Sequence, residues 1–175
     1  MDNQQETVLE LGWLVGAYDG EGCISLLRRK RSDRKTRYGF SFKPHVSITN
    51  TDISFIDRVC RILTRLEIPY YVSSSNPTGR RRPYKTVLVE GLRRVMKLLP
   101  LITPYLCDEK REKAILLIEF CESRLADWHS APFTERQLEI YRLISERNVK
   151  GSTPILRDYT RSSRSSKFPG FQDAG

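Results

Sequence analysis

The chain has 175 residues, 39% of them hydrophobic, which is enough for one domain with its own core, and no apolar run is long enough to span a membrane. A net charge of +9 points to a polyanionic partner, because basic domains gain affinity for nucleic acid by releasing its counterions. Cys23, Cys60, Cys107 and Cys121 stand far apart, with no CxxC pair and only two histidines in the chain, which argues against a zinc site and for reduced, intracellular thiols.

Met1–Glu10 is polar and acidic, unlike a secretory leader, so the protein is expected inside the cell, in the cytoplasm or in an organelle that encodes it. Glu6–Asp19 reads as the first helix, with Leu11, Leu14, Val15 and Tyr18 at helical spacing. Gly12, Gly16 and Gly20 fall on one face of it. A glycine inside a helix costs roughly 1 kcal/mol relative to alanine, and the usual return is close approach of a second helix. Glu21 follows where the helix runs out, at the negative end of its dipole, a poor place for a carboxylate unless a cation is bound. The combination suggests two helices delivering two acids to one point.

Cys23–Leu27 turns to strand alternation, with Ile24 and Leu26 on one face and Cys23, Ser25 and Leu27 on the other. Arg28–Arg37 is a basic run that links this strand to the next. Gly39–Thr49 alternates again, Phe40, Phe42, Val46 and Ile48 against Ser41, Lys43, His45 and Ser47. One apolar and one polar, basic face describe a half-buried antiparallel hairpin, a shape that fits the DNA major groove.

Asp52, or Thr51, is the expected N-cap of the next helix, whose apolar period runs through Leu66 before Pro69 stops it. Tyr70–Ser74 and Tyr84–Val89 form a second expected hairpin across the turn residues Asn76–Gly79 and the basic cluster Arg80, Arg81 and Arg82. Gly91–Leu99 is a short helix ended by Pro100. Asp108–Leu125 is a longer one, with Ala114, Ile115, Leu117, Ile118 and Cys121 inward. Thr134-x-x-Gln137 is a capping box that opens a helix to about Asn148. Residues 1–150 therefore read as one domain. Residues 151–175, rich in Ser, Arg and Gly without periodicity, read as a basic, flexible tail whose Arg157, Arg161, Arg164 and Lys167 could graze phosphates.

Leu14–Gly22, L-V-G-A-Y-D-G-E-G, resembles the signature of the LAGLIDADG homing endonucleases. Leu14, Gly16, Asp19 and Gly22 match it directly, and Val15, Ala17, Tyr18, Gly20 and Glu21 fall within the substitutions that family accepts. The order of elements over roughly Leu9–Asn148 is also similar to its α-β-β-α-β-β-α domain. The resemblance implies an α+β fold with a saddle-shaped antiparallel sheet over DNA and helices on its back.

It also implies a chemistry. Glu21 would bind a catalytic divalent metal, Mg²⁺ or a similar ion such as Mn²⁺. Asn50 falls where a polar residue positions the attacking water, with a turn or cap role as its alternative. Lys110 falls where a basic residue stabilises the transition state, with Lys113 as the alternative alignment and an exposed helix charge as the plain reading. Only one signature is present, so the second acid would come from a homodimer packed through Gly12, Trp13, Gly16, Asp19 and Gly20, and the double-stranded DNA site would be nearly palindromic. By strand parity the DNA face should hold Ser25, Leu27, Arg29, Arg31, Lys43, His45 and Ser47, with Ser73, Ser75, Arg80, Arg81 and Arg82 from the second hairpin. His129 pairs with nothing in the sequence pattern. The competing readings are an RNA-splicing maturase, a non-cleaving DNA-binding regulator on the same fold, and an unrelated basic scaffold that assembles by its glycine-faced helix. None of them involves a membrane.

Overall fold

The computed structural model describes residues 3–30, 39–75, 82–127 and 131–148. In chain order these form α1 (Asn3–Glu21), β1 (Gly22–Lys30), β2 (Phe40–Asn50), α2 (Ile53–Arg65), β3 (Tyr71–Ser75), β4 (Tyr84–Glu90), α3 (Leu92–Ile102), a 3-10 turn (Thr103–Tyr105), α4 (Asp108–Ala126) and α5 (Glu135–Asn148). The four strands make one sheet in the order β1-β2-β4-β3, antiparallel throughout. This is the expected α+β order. Arg31, Arg80, Arg81, His129, the Asn76–Gly79 turn and the 151–175 tail lie outside the described residues.

The alternation of side chains gives the sheet two different faces. Ile24 and Leu26 of β1, Val46 and Ile48 of β2, and Val87 and Val89 of β4 are each at most 3% exposed. They pack into one core with Leu14 and Tyr18 of α1, Ile56 and Leu63 of α2, Leu98 of α3, Leu117 of α4 and Ile144 of α5. Each side chain of this kind contributes roughly 1.5–3 kcal/mol on burial. A one-residue slip would turn a whole strand's set to water, so the register is strongly fixed: Gly22 pairs with Ile48, and His45 with Glu90. The helices thus cover one face and leave the polar face open.

Helix ends follow local chemistry, with instructive departures from the sequence reading. Asp52 is the N-cap of α2, its Oδ1 accepting from Ser54 N at 2.8 Å, and Thr134 and Gln137 exchange backbone N–H and side-chain bonds at 3.2 Å each as a capping box. α2 stops before Pro69 acts, because Glu67 takes a φ of 53° and the Ile68 N–H closes back on Leu63 O at 2.9 Å, a left-handed termination. α3 runs on through Pro100. That residue forfeits one helical hydrogen bond, but the burial of Leu98, Leu99 and Ile102 outweighs it, and the Thr103 hydroxyl supplies a bond to Leu99 O at 2.7 Å. α1 extends past Asp19 to Glu21. Ile115, expected inward, is 53% exposed, since its position on α4 lies outside the stripe set by Ala114, Leu117 and Cys121.

All four cysteines are free thiols, and burial pushes that of Cys121 up to about 12. Among the described residues no helix is long and apolar enough to cross a membrane. One core group stands out. The Tyr18 hydroxyl is buried and meets no hydrogen-bond partner among the described residues, and burial holds it well above the ordinary tyrosine range. A buried, unpaired hydroxyl costs about 1–3 kcal/mol. Tyr18→Phe is therefore expected to raise folding stability by about 1 kcal/mol, read as a higher urea midpoint at constant m value; a lower midpoint would show that the hydroxyl is satisfied.

Candidate active site

α1 delivers Glu21 to the start of β1. The connection has no slack: a Cβ on Gly22 would lie 2.5 Å from Tyr18 O and 2.8 Å from Tyr18 Cα, so only glycine lets the strand leave the helix this tightly. Glu21 is exposed, and its carboxylate has no hydrogen-bond or ion-pair partner among the described residues. Because Gly22 pairs with Ile48, the end of β2 lies at the same end of the sheet, and with it Asn50. The Asn50 Oδ1 accepts from Asp52 N at 2.9 Å, the turn role considered as its alternative, so its Nδ2 is the end left for another partner.

The other two groups meet at the last turn of α1. Lys110 Nζ donates to Tyr18 O and Asp19 O, both at 2.6 Å, placing a cation on the negative end of the helix dipole. Burial lowers the Lys110 ammonium from its ordinary range; Asp19 pulls the other way, and Lys113 adds to the lowering. Lys113, the alternative alignment, is instead drawn to Glu109 one turn back, at 2.9 Å. Asp19 returns the contact to α4, its carboxylate accepting from the Cys107 N–H at 3.1 and 3.2 Å and from the Cys107 thiol at 3.3 Å. That holds the thiol above its ordinary value. Cys107 is the N-cap of α4 and makes no side-chain cap bond to that helix, so an acid from a distant helix does the capping. The Asp19–Cys107 tie is not visible in the sequence, because the partners are far apart in the chain and neither forms a motif with the other.

The glycine face of α1 is open. Gly12, Gly16 and Gly20 are exposed, and a Cβ on any of them would meet nothing within 4 Å among the described residues. Trp13 turns to α2 instead, with its ring 5.2 Å from Phe55 and under the Arg58 guanidinium at 4.3 Å.

On the open sheet face, Cys23, Ser25, Leu27 and Arg29 of β1 lie across from Ser47, His45, Lys43 and Ser41 of β2. Ser25 and Ser47 are on the expected face but only 8% and 7% exposed, shaded by their longer neighbours. Arg29, Ser73 and Arg82 are exposed, while Leu27, Lys43, His45 and Ser75 are half-buried. The sequence reading missed Glu90. It pairs in register with His45, and its carboxylate binds both His45 and Lys43; only the register of β4, absent from any local pattern, could have revealed it.

The profile of the LAGLIDADG-like domain matches residues 9–103, more than half of the chain, and the chain belongs to that family. No curated protein sequence matches it. Among solved structures it is similar to the homing endonuclease I-CvuI in complex with its target, at TM-score 0.68 and 19% identity over 90% of this chain and 94% of that one. It is similar to the archaeal intron-encoded homing endonuclease I-Vdi141I complexed with DNA, at TM-score 0.68 and 17% identity, covering 89% and 94%. The LAGLIDADG homing endonuclease I-SmaMI bound to cleaved DNA matches at TM-score 0.64 and 20% identity, but 94% of this chain covers only 51% of that longer one. At such identities the likeness speaks for the fold.

The clamp on α1 makes a stability prediction independent of any activity. Lys110→Met removes a half-buried, charge-assisted pair of hydrogen bonds and is expected to cost about 1–2 kcal/mol after allowance for solvent screening. An unchanged urea midpoint would show that water replaces the ammonium without loss.

Proposed function

We propose that this chain is a site-specific DNA endonuclease of the homing type, which dimerises through α1 and makes a divalent-metal-dependent double-strand cut in a long, nearly palindromic site. The observation that carries the reading is an exposed acid, Glu21, at the end of a helix whose glycine face is covered by nothing among the described residues. A helix that accepts three interior glycines without using them internally has a use for them externally. A second α1 crossing there brings a second Glu21 to the first. I-SmaMI, in which this fold accounts for about half of the chain, supports an assembly of two such units.

The residues at this point fit a hard cation. Among the described residues no three His, Cys, Asp or Glu side chains gather within one chain, and the Asp19 carboxylate is committed to Cys107. At the end of α1 each protomer therefore offers one free carboxylate among the described residues, that of Glu21, which suits an ion of the Mg²⁺ type that keeps most of its waters and takes few protein ligands. When bound, such an ion supplies positive charge to the phosphate and acidifies water. I-CvuI was solved with DNA in the presence of Ca, and again with Mg and uncleaved DNA, which supports the same class of ion. The chain's own contributions are then distinct. Glu21 would hold the ion, Asn50 Nδ2 would orient water, and the Lys110 ammonium would add charge beside the phosphate while it fixes the end of α1.

The sheet's open face supplies the DNA contacts. Arg29 and Arg82 have no acidic partner among the described residues; in the strand register Lys43 and His45 stand between Arg29 and the α1 end of the sheet, and Arg82 precedes β4 at that end. Arginines in this position contact phosphates or guanine edges.

Two experiments test the proposal. With Mg²⁺ and a randomised duplex library, the wild type should produce double-strand cuts at one nearly palindromic sequence, and Glu21→Gln should lose them by roughly a hundredfold or more, the scale of losing one preorganised charge-stabilising group. Cutting that survives in Glu21→Gln removes the assigned role of the acid. Gly16→Leu separates assembly from folding. It relieves a helix-propensity cost of roughly 0.8 kcal/mol and meets open space in the monomer, so the folded monomer should gain stability while sedimentation shows the dimer lost. A Gly16→Leu protein that remains a dimer would place the interface elsewhere.

A further inference from the structure

The open face that the proposed function assigns to DNA contains an acid in its middle. Glu90, the last residue of β4, stands directly across from His45. Its Oε1 lies 2.9 Å from His45 Nδ1, and its Oε2 accepts from Lys43 Nζ. Its side chain is 13% exposed, against 40% for Lys43 and 15% for His45. A carboxylate on a surface meant for a polyanion weakens binding to every sequence alike. Its presence calls for a return that depends on sequence.

The geometry identifies that return. We infer that Glu90 is a specificity-determining positioning residue, which holds Lys43 and His45 as one preorganised unit for reading adjacent base pairs in the major groove. Burial works to raise the Glu90 carboxyl, but the bonds from Lys43 and His45 hold it below the ordinary range, so it is ionised and accepts only. The proton of the His45–Glu90 bond therefore belongs to Nδ1. The ring is fixed in that tautomer, which leaves Nε2 as an acceptor when the ring is neutral. The Lys43 ammonium spends one donor on Glu90 and keeps two. A fixed acceptor and a fixed donor, two residues apart on one strand, match groove edges that offer both kinds of group. The acceptor suits cytosine N4 or adenine N6, and the donor suits guanine O6 and N7.

Without Glu90, the long lysine would be free to find the nearest phosphate, a contact that carries no sequence information. The acid thus converts a general cation into a base-reading one. The Ser25 hydroxyl, at 3.5 Å from His45 O on the neighbouring strand, adds a weak tether to the same unit.

This inference rests on the DNA-binding reading of the sheet face, and one experiment separates the two. The full-length wild type, Glu90→Gln, His45→Ala and the double variant are each used to select from a randomised duplex library without metal at one fixed salt concentration. In Glu90→Gln, preference at one or two adjacent base pairs in each half-site should fall about tenfold, while affinity for unselected duplex rises about threefold as a negative charge leaves the face. The double variant should lose less selectivity than the two single losses combined, because Glu90 acts in part through His45. Should Glu90→Gln fail to fold, Lys43→Met and His45→Ala must relax the same or adjacent base pairs within each half-site. An unchanged preference in Glu90→Gln, additive losses in the double variant, or relaxation by Lys43→Met of base pairs remote from those relaxed by His45→Ala would each overturn the inference alone. A wild type that enriches no sequence overturns the DNA-binding reading, and this one with it.

Discussion

The last four carbonyls of any helix have no partner within it, and in α1 the way they are satisfied decides where the site's acid points. Lys110 takes two of them, from Tyr18 and Asp19, at 2.6 Å, while the Asp19 side chain caps the N-terminus of α4. Each helix thus completes the other's open end, a cation at a negative pole and an anion at a positive one. The arrangement is reciprocal, so neither helix can shift without breaking bonds on both. Gly22 then removes the remaining freedom, because the strand turns away with no room for a methyl group. Glu21, lying between a clamped turn and a forced exit, is exposed and yet confined.

That confinement coexists with a face of the same helix that is costly to leave open. Gly12, Gly16 and Gly20 weaken the helix and pack against nothing among the described residues. What keeps α1 in place is its other side: Leu14 and Tyr18 in the core, Trp13 against α2, and Arg65 of α2 reaching Glu6 and Glu10 at 3.1 and 2.9 Å. The surface ion pairs count for little individually; the burial does most of the holding. A helix anchored on one side, and bare on the other among the described residues, is what the proposed pairing with a second copy requires.

Much of this was legible in the sequence, because period and capping are local properties. The alternation of β1 and β2, the Asp52 cap and the Thr134–Gln137 box each depend on residues within a few positions of one another. The departures came where distant groups decide. Pro100 does not end α3, because core burial on both sides of it outweighs one lost bond, and α2 ends on the unusual backbone of Glu67 before Pro69 matters. In the site, Glu21 could be read from its glycine context, and Lys110 came from resemblance. The structure supplies the cross-helix bonds that tie Lys110 and Asp19 into one device, and these have no signature, since their partners are separated by most of the domain.

Charge shows the same division between what composition reveals and what only register can. A net charge of +9 is enough to draw a polyanion, but much of the basic content of the helices is already answered: Arg136 by Glu119 and Glu139, Arg142 by Glu146, Arg147 by Glu112 and Arg124 by Asp127. The open sheet face is different. There Arg29 and Arg82 are unanswered among the described residues, and the one strong pairing, Glu90 with Lys43 and His45, lies in the middle of the surface. Attraction is served best by free charge, and discrimination by charge that is held still. A face that carries both can gather a long polyanion through its loose cations and tell one stretch from another through its fixed ones, which is the division of labour that a long, specific site requires.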